Sequence, residues 1–144
     1  MRVVALMRVA LDTNVLLSAL LSPRGHADTI YRAWRAARFE VVTSLNQLDE
    51  LRRASRYPKF KAVLQPHLVG TMVHNLQRAV VLEHLPQLGT EAADDPFDTF
   101  LLAMAVAGEA DYLVTGDHRA GLLQRKNVGR TRIVTPAIFC TEAL

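Results

Sequence analysis

The stretch Arg8-Val9-Ala10-Leu11-Asp12-Thr13-Asn14 decides the fold. A short apolar run that stops abruptly on polar residues is how a buried parallel strand leaves the core at its carboxyl end. Tyr112-Leu113-Val114-Thr115-Gly116 reads the same way and is followed by Asp117. Working outward, Phe39–Thr43, Val80–Leu82 and Arg132–Thr135 are further short runs rich in β-branched residues, which makes about five strands.

Helical patterns fill the intervals. Val15–Leu21 ends at Ser22-Pro23-Arg24-Gly25, and Ala27–Ala37 places Ile30, Ala33, Trp34 and Ala37 on one face. Ser44 can cap a helix whose stripe is Leu45, Leu48 and Leu51, broken by Tyr57-Pro58-Lys59-Phe60. Pro66–Arg78 follows, then the clearest helix start in the chain: Asp95 at the cap, Pro96 at the first helical position, and Phe100–Ala107 running to Gly108. Gly121–Lys126 is a short helix or turn, and Pro136 opens a C-terminal helix. Strands alternating with helices predict an α/β domain in three layers, α/β/α, around a central parallel sheet. Sites in such sheets form outside the carboxyl ends of the strands, so Asp12 and Asp117 are expected on one edge.

Length and composition agree with one domain over residues 1–144: half the residues are apolar and 22% are charged. Met1–Leu6 nearly repeats Met7–Leu11, so Met7 is an alternative start, with residues 1–6 an extension foreign to the native chain. Arg8 and Asp12 interrupt the first apolar stretch, and Gly108 with Glu109 ends the longest later one, so neither reaches a membrane span. The single Cys140 excludes an internal disulfide and a cysteine-rich zinc site. Together these read as a soluble, cytoplasmic protein without a membrane partner.

Net charge is only +3, from 17 Lys and Arg against 14 Asp and Glu, but the charges are segregated. Bases gather at Arg32, Arg35 and Arg38, at Arg52, Arg53, Arg56, Lys59 and Lys61, and from Arg119 to Arg132, while acids concentrate between Asp94 and Asp117. An acidic centre with basic flanks suits a nuclease that grips a polyanion around bound metal; solvated helix faces would give the same tally. Clustered carboxylates repel, and a divalent cation relieves that repulsion. An oxygen-only ligand set favours magnesium or manganese, which lower the pKa of bound water for attack on a phosphodiester.

Four segments in order make the sequence resemble the PIN-domain family, in particular the toxins of VapBC-type toxin–antitoxin pairs. They are Leu11-Asp12-Thr13-Asn14-Val15 with Ser18; Glu50-Leu51-Arg52 with Tyr57-Pro58-Lys59-Phe60; Asp95-Pro96-Phe97-Asp98; and Ala110 through Asp117. The resemblance spans about Arg8 to Phe139. It implies that Asp12, Glu50, Asp98 and Asp117 are catalytic and bind Mg2+ or Mn2+, with Thr13, Asn14 and Thr115 as polar support. It further implies an RNA substrate, a small antitoxin partner and a homodimer. Arg52, Arg53 and Arg119 are the candidate phosphate contacts, chosen from charge and position.

The residues alone leave alternatives. Asp12 can end a strand, Asp117 can serve a turn, and Asp98 suits the first turn of any helix. Glu50 falls nearly opposite the leucine stripe, on the solvent side, and Asp49 competes with it. Asp111 reads as capping or orienting the start of its strand; of the five histidines only His118 sits beside a proposed ligand, and a substrate contact there is the less favoured reading; Trp34 reads as core or dimer surface. A dehalogenase-type phosphatase needs a second acid where Asn14 stands. A receiver domain needs paired early acids and a late lysine, and a dinucleotide fold needs a glycine-rich turn after the first strand. Two rivals survive: a housekeeping RNA-processing nuclease, and a non-catalytic RNA- or partner-binding module.

Overall fold

The computed structural model describes residues 6–89, 92, 93, 95–116 and 121–144. In chain order the elements are β1 Arg8–Leu11, α1 Thr13–Leu21, α2 His26–Arg35, β2 Glu40–Ser44, α3 Leu45–Ala54, α4 Pro58–Lys61 and α5 Pro66–Leu76. They continue with β3 Val80–Leu82, α6 Pro96–Ala107, β4 Tyr112–Val114, α7 Leu122–Arg125, β5 Asn127–Val128, β6 Thr131–Val134 and α8 Pro136–Ala143.

The sheet runs β3-β2-β1-β4-β6-β5, parallel throughout except for the β5–β6 pair. The expected α/β/α layering is present, with one strand more than the five read from the sequence. Asn127 and Val128 add a two-residue antiparallel edge, too short to show a period. Successive side chains on a strand point to opposite faces, and that divides the core. Val9, Leu11 and Val41 pack beneath α1, α2, α3, α5 and α8, whereas Ala10, Val42 and Leu113 pack beneath α6 and α7. Among the described residues no helix is long and apolar enough to cross a membrane.

Local departures from the expected elements have identifiable causes. Helix α1 begins at Thr13 rather than Val15 because the Asp12 side chain caps it. The Tyr57–Phe60 break is itself a turn of helix, with Pro58 at its first position. Helix α2 stops at Arg35, so Ala37 leaves the Ile30–Trp34 face and takes a left-handed φ of 59°; Trp34 itself is core. Leu45 is 48% exposed, and the fully buried Gln47 takes its expected place beside Leu48 and Leu51.

Gly108 does more than end α6. A β-carbon there would collide with the Val42 methyls, so glycine lets the helix end approach β2 closely, and the left-handed residue is the next one, Glu109.

Candidate active site

Strand order reverses between β1 and β4, each continuing outward on its own side, and the carboxyl ends of these two strands frame a crevice. Asp12 lies in it and is fixed from both directions. Its backbone N–H donates to the Val114 carbonyl at 2.9 Å, extending the β1–β4 pairing, and its own carbonyl accepts from the N–H groups of Val15 and Leu16 to open α1. The carboxylate is 1% exposed; Oδ1 accepts the Asn14 N–H at 3.1 Å and Oδ2 accepts the Thr115 hydroxyl at 2.7 Å. Burying a carboxylate is tolerable only with such donors, and the positive end of the α1 dipole adds to them.

The expected polar supports therefore divide. Thr115 orients Asp12 through its side chain, and Asn14 does so through its backbone, its own side chain being exposed. Thr13 is buried, and its hydroxyl oxygen has no hydrogen-bond partner among the described residues.

Helix α6 carries Asp98 in its first turn. Its far end is anchored where β1 begins, because an Arg8 guanidinium nitrogen donates to the Gly108 carbonyl at 3.2 Å. An α6 packed along the sheet from that anchor would run back against the direction of β1. From Gly108 back to Asp98 it rises about 15 Å, against about 13 Å for the four residues of β1. By these lengths Asp98, in the first turn and 2% exposed, is expected near the level of Asp12.

On α3, Glu50 and Asp49 separate cleanly. The Asp49 side chain is 70% exposed and the Glu50 side chain 22%, so Glu50 is the acid turned toward the protein body. Glu50 accepts from Arg53 at 3.0 Å, and both line a cavity of about 170 Å3 with Asn46 and with Phe100 of α6. Arg52 points elsewhere, pairing with Asp49 at 3.2 Å. Asp117, His118 and Arg119 lie outside the described residues, as does Asp94. Among the described residues no three acidic, histidine or cysteine side chains come close enough to hold a metal ion; Asp12, Glu50 and Asp98 do not do so by themselves.

Gln47 was not singled out from the sequence, yet it braces this corner. It is fully buried; its Nε2 donates to the Leu11 carbonyl at 2.5 Å, and its Oε1 accepts the Thr43 hydroxyl at 2.7 Å. Its backbone N–H donates to Ser44 Oγ, the cap of α3. The amide thereby ties α3 and β2 to the residue preceding Asp12. The one available signal was a polar residue one turn before Leu51, on the leucine face.

Asp111 sits at the opposite, amino edge of the sheet. Burial would raise its pKa, but the Arg8 backbone N–H and the Arg130 guanidinium, at 2.9 and 2.6 Å, outweigh that and hold it below the ordinary aspartate range. It orients the start of β4, as the sequence reading expects.

The PIN domain family model matches residues 8–119. Two solved structures share the architecture. One is VapBC2 from Rickettsia felis bound to a DNA fragment from their promoter, with TM-score 0.55 at 17% identity over 90% of this chain and 98% of that one. The other is FitAcB from Neisseria gonorrhoeae, with TM-score 0.52 at 16% identity over the same shares. At these identities the likeness shows the fold alone. No curated protein matches the sequence.

Proposed function

We propose that this chain, which belongs to the PIN-domain family, is a metal-dependent endoribonuclease and the toxin of a toxin–antitoxin pair. The observation that carries the reading is Asp12: a carboxylate buried at the carboxyl end of β1, held by Thr115 and the Asn14 amide at the start of α1; Asp98, buried in the first turn of α6, is its proposed companion.

The donor set fits a hard divalent cation, being carboxylate oxygens with a buried hydroxyl at Thr13, unpartnered among the described residues, nearby in sequence. Asp12, Asp98, Glu50 and Asp117 would hold Mg2+ or Mn2+, which when bound supplies Lewis acidity and an acidified water for attack on phosphorus. The chain's own contribution is positioning. Thr115 fixes the Asp12 carboxylate, Gln47 fixes the Leu11 carbonyl behind it, and the closed core beneath excludes water from the non-reacting side. Arg53 stands beside Glu50, where a substrate phosphate can compete for its guanidinium; Arg52 and Arg119 are further contacts for the polyanion.

The toxin assignment is supported by the fold shared with VapBC2 and FitAcB. It carries with it a small antitoxin as partner, a homodimer and a cytoplasmic location.

The test is incubation of purified protein with labelled single-stranded RNA and the matching DNA, with Mg2+ or Mn2+ and then with chelator. Cleavage of RNA that needs metal and is lost in Asp12→Asn and Asp98→Asn is the expected result. RNA binding without cleavage under every metal, unchanged by either substitution, would leave a binding module on a nuclease fold.

A further inference from the structure

We propose that the cavity between α3, α4 and α5 is a nucleotide subsite that holds single-stranded RNA outside the acidic centre; this rests on the reading of RNA as substrate. Every formally charged residue between Glu50 and Glu83 is basic: Arg52, Arg53, Arg56, Lys59, Lys61 and Arg78. Three of them, Arg52, Arg56 and Lys61, line one cavity of about 300 Å3. Arg52 is partly engaged by the exposed Asp49, while Arg56 and Lys61 carry no ion pair among the described residues. Like charges held together are unfavourable, and a polyanion that neutralises them releases its counterions on binding.

The same cavity has an apolar floor. Leu64 and Val69 are buried there, and Pro66 opens α5 with no side-chain hydrogen bond capping that helix, so the positive end of its dipole adds to the cations. Apolar surface framed by guanidinium and ammonium groups matches a nucleotide, whose base and sugar rest on the floor while the phosphate meets the rim. Tyr57 follows Arg56 directly and is 48% exposed, which offers an aromatic face next in sequence to the cavity's lining. Base faces are free to stack only in single strands, which selects single-stranded RNA over a duplex. A purely acidic peptide would use the charges but leave the apolar floor of Leu64 and Val69 uncovered.

Arg52 and Arg53 are neighbours on α3 but line different cavities, Arg53 with Glu50 and Arg52 with the basic group, which Arg56 joins from the turn after the helix. Helix α3 therefore joins the candidate centre to the subsite, so a strand held by Arg56 and Lys61 could extend across α3 toward Glu50.

The experiment measures fluorescence anisotropy of a labelled single-stranded RNA of about a dozen nucleotides, long enough to cover one such groove. It uses the full chain carrying Asp12→Asn, in chelator, so that neither cleavage nor metal enters the readout. Arg56→Glu/Lys61→Glu is compared with the charge-matched pair Arg24→Glu/Arg38→Glu on exposed positions elsewhere. The subsite predicts that the first pair weakens binding at least about tenfold and flattens the salt dependence by about 1.4 log units per log unit of salt, roughly 0.7 for each lost phosphate contact. The second pair should cost less than about threefold, and Tyr57→Ala about fivefold.

Equal weakening by both pairs would overturn the subsite in favour of diffuse charge. Unchanged RNA binding with loss of binding to a polyglutamate peptide would overturn it in favour of a protein partner. Cleavage by the wild type with metal is scored separately, so loss of the ribonuclease reading and loss of the subsite are distinguishable.

Discussion

Replacing Thr115 by valine removes one oxygen and little else. Valine keeps the β-branched shape at a position that is fully buried beside β4, so the strand and its pairing should persist. What disappears is the 2.7 Å bond from the hydroxyl to Asp12 Oδ2. A hydrogen bond to a charged group contributes about 1.5–3 kcal/mol, and the buried carboxylate that loses it keeps its desolvation cost. The expected loss is about 2 kcal/mol, or about 4–8 °C in Tm for a domain of this size. The carboxylate is also freed to rotate, so RNA cleavage should fall by about tenfold, since each 1.36 kcal/mol of lost transition-state stabilisation is a factor of ten. Urea denaturation and single-turnover cleavage measure the two effects. Thr115→Ser, which keeps the hydroxyl, should recover most of the activity. If Thr115→Val unfolds at the wild-type urea concentration and cleaves at the wild-type rate, Asp12 is not held as described.

Gln47→Leu strands the Leu11 carbonyl and the Thr43 hydroxyl and should cost about 2–4 kcal/mol by urea denaturation; adding Thr43→Val should restore part of it, because the second orphan is then gone. Gly108→Ala drives a methyl group into Val42 and should destabilise by about 1–3 kcal/mol, with Val42→Ala in the same chain relieving it in a double-mutant cycle. Asp111 has a depressed pKa in the folded chain, so its contribution is present above the pKa of the unfolded chain and is lost as pH falls through the folded value. The urea midpoint of Asp111→Asn should therefore lie below wild type at neutral pH and converge on it in acid, and added salt should narrow the gap because the Arg130 partner is largely exposed.

What was legible in the sequence and what was not follow from the physics of each position. Strands β1 and β4 announce themselves because a run buried on both faces must be apolar and must end where the chain meets water, which located Asp12 with them. Strand β5 is too short for any period to appear, and its pairing depends on the hairpin with β6. The helical wheel of α3 expected Glu50 toward solvent; it is partly exposed, but at a cleft between helices, which one-helix periodicity cannot distinguish from open solvent. The same wheel expected Leu45 inside and, placing the polar Gln47 on the leucine face, gave no reason for its burial. A buried amide is stable only through partners such as Leu11 and Thr43, which come from other strands and are invisible to local pattern. Gly108 reads as a helix terminator from sequence, whereas its need for glycine comes from Val42 on a distant strand.

The central claim is that Asp12 and Asp98 act as one cation-binding centre at the β1–β4 edge. Titration of Mn2+ into the purified chain, followed by its electron paramagnetic resonance signal, tests this without any substrate. Wild type should bind Mn2+, and Asp12→Asn and Asp98→Asn should each weaken it by more than the roughly tenfold that losing an outer-shell partner costs. Equal Mn2+ affinity in all three proteins, each still folded, would contradict the account.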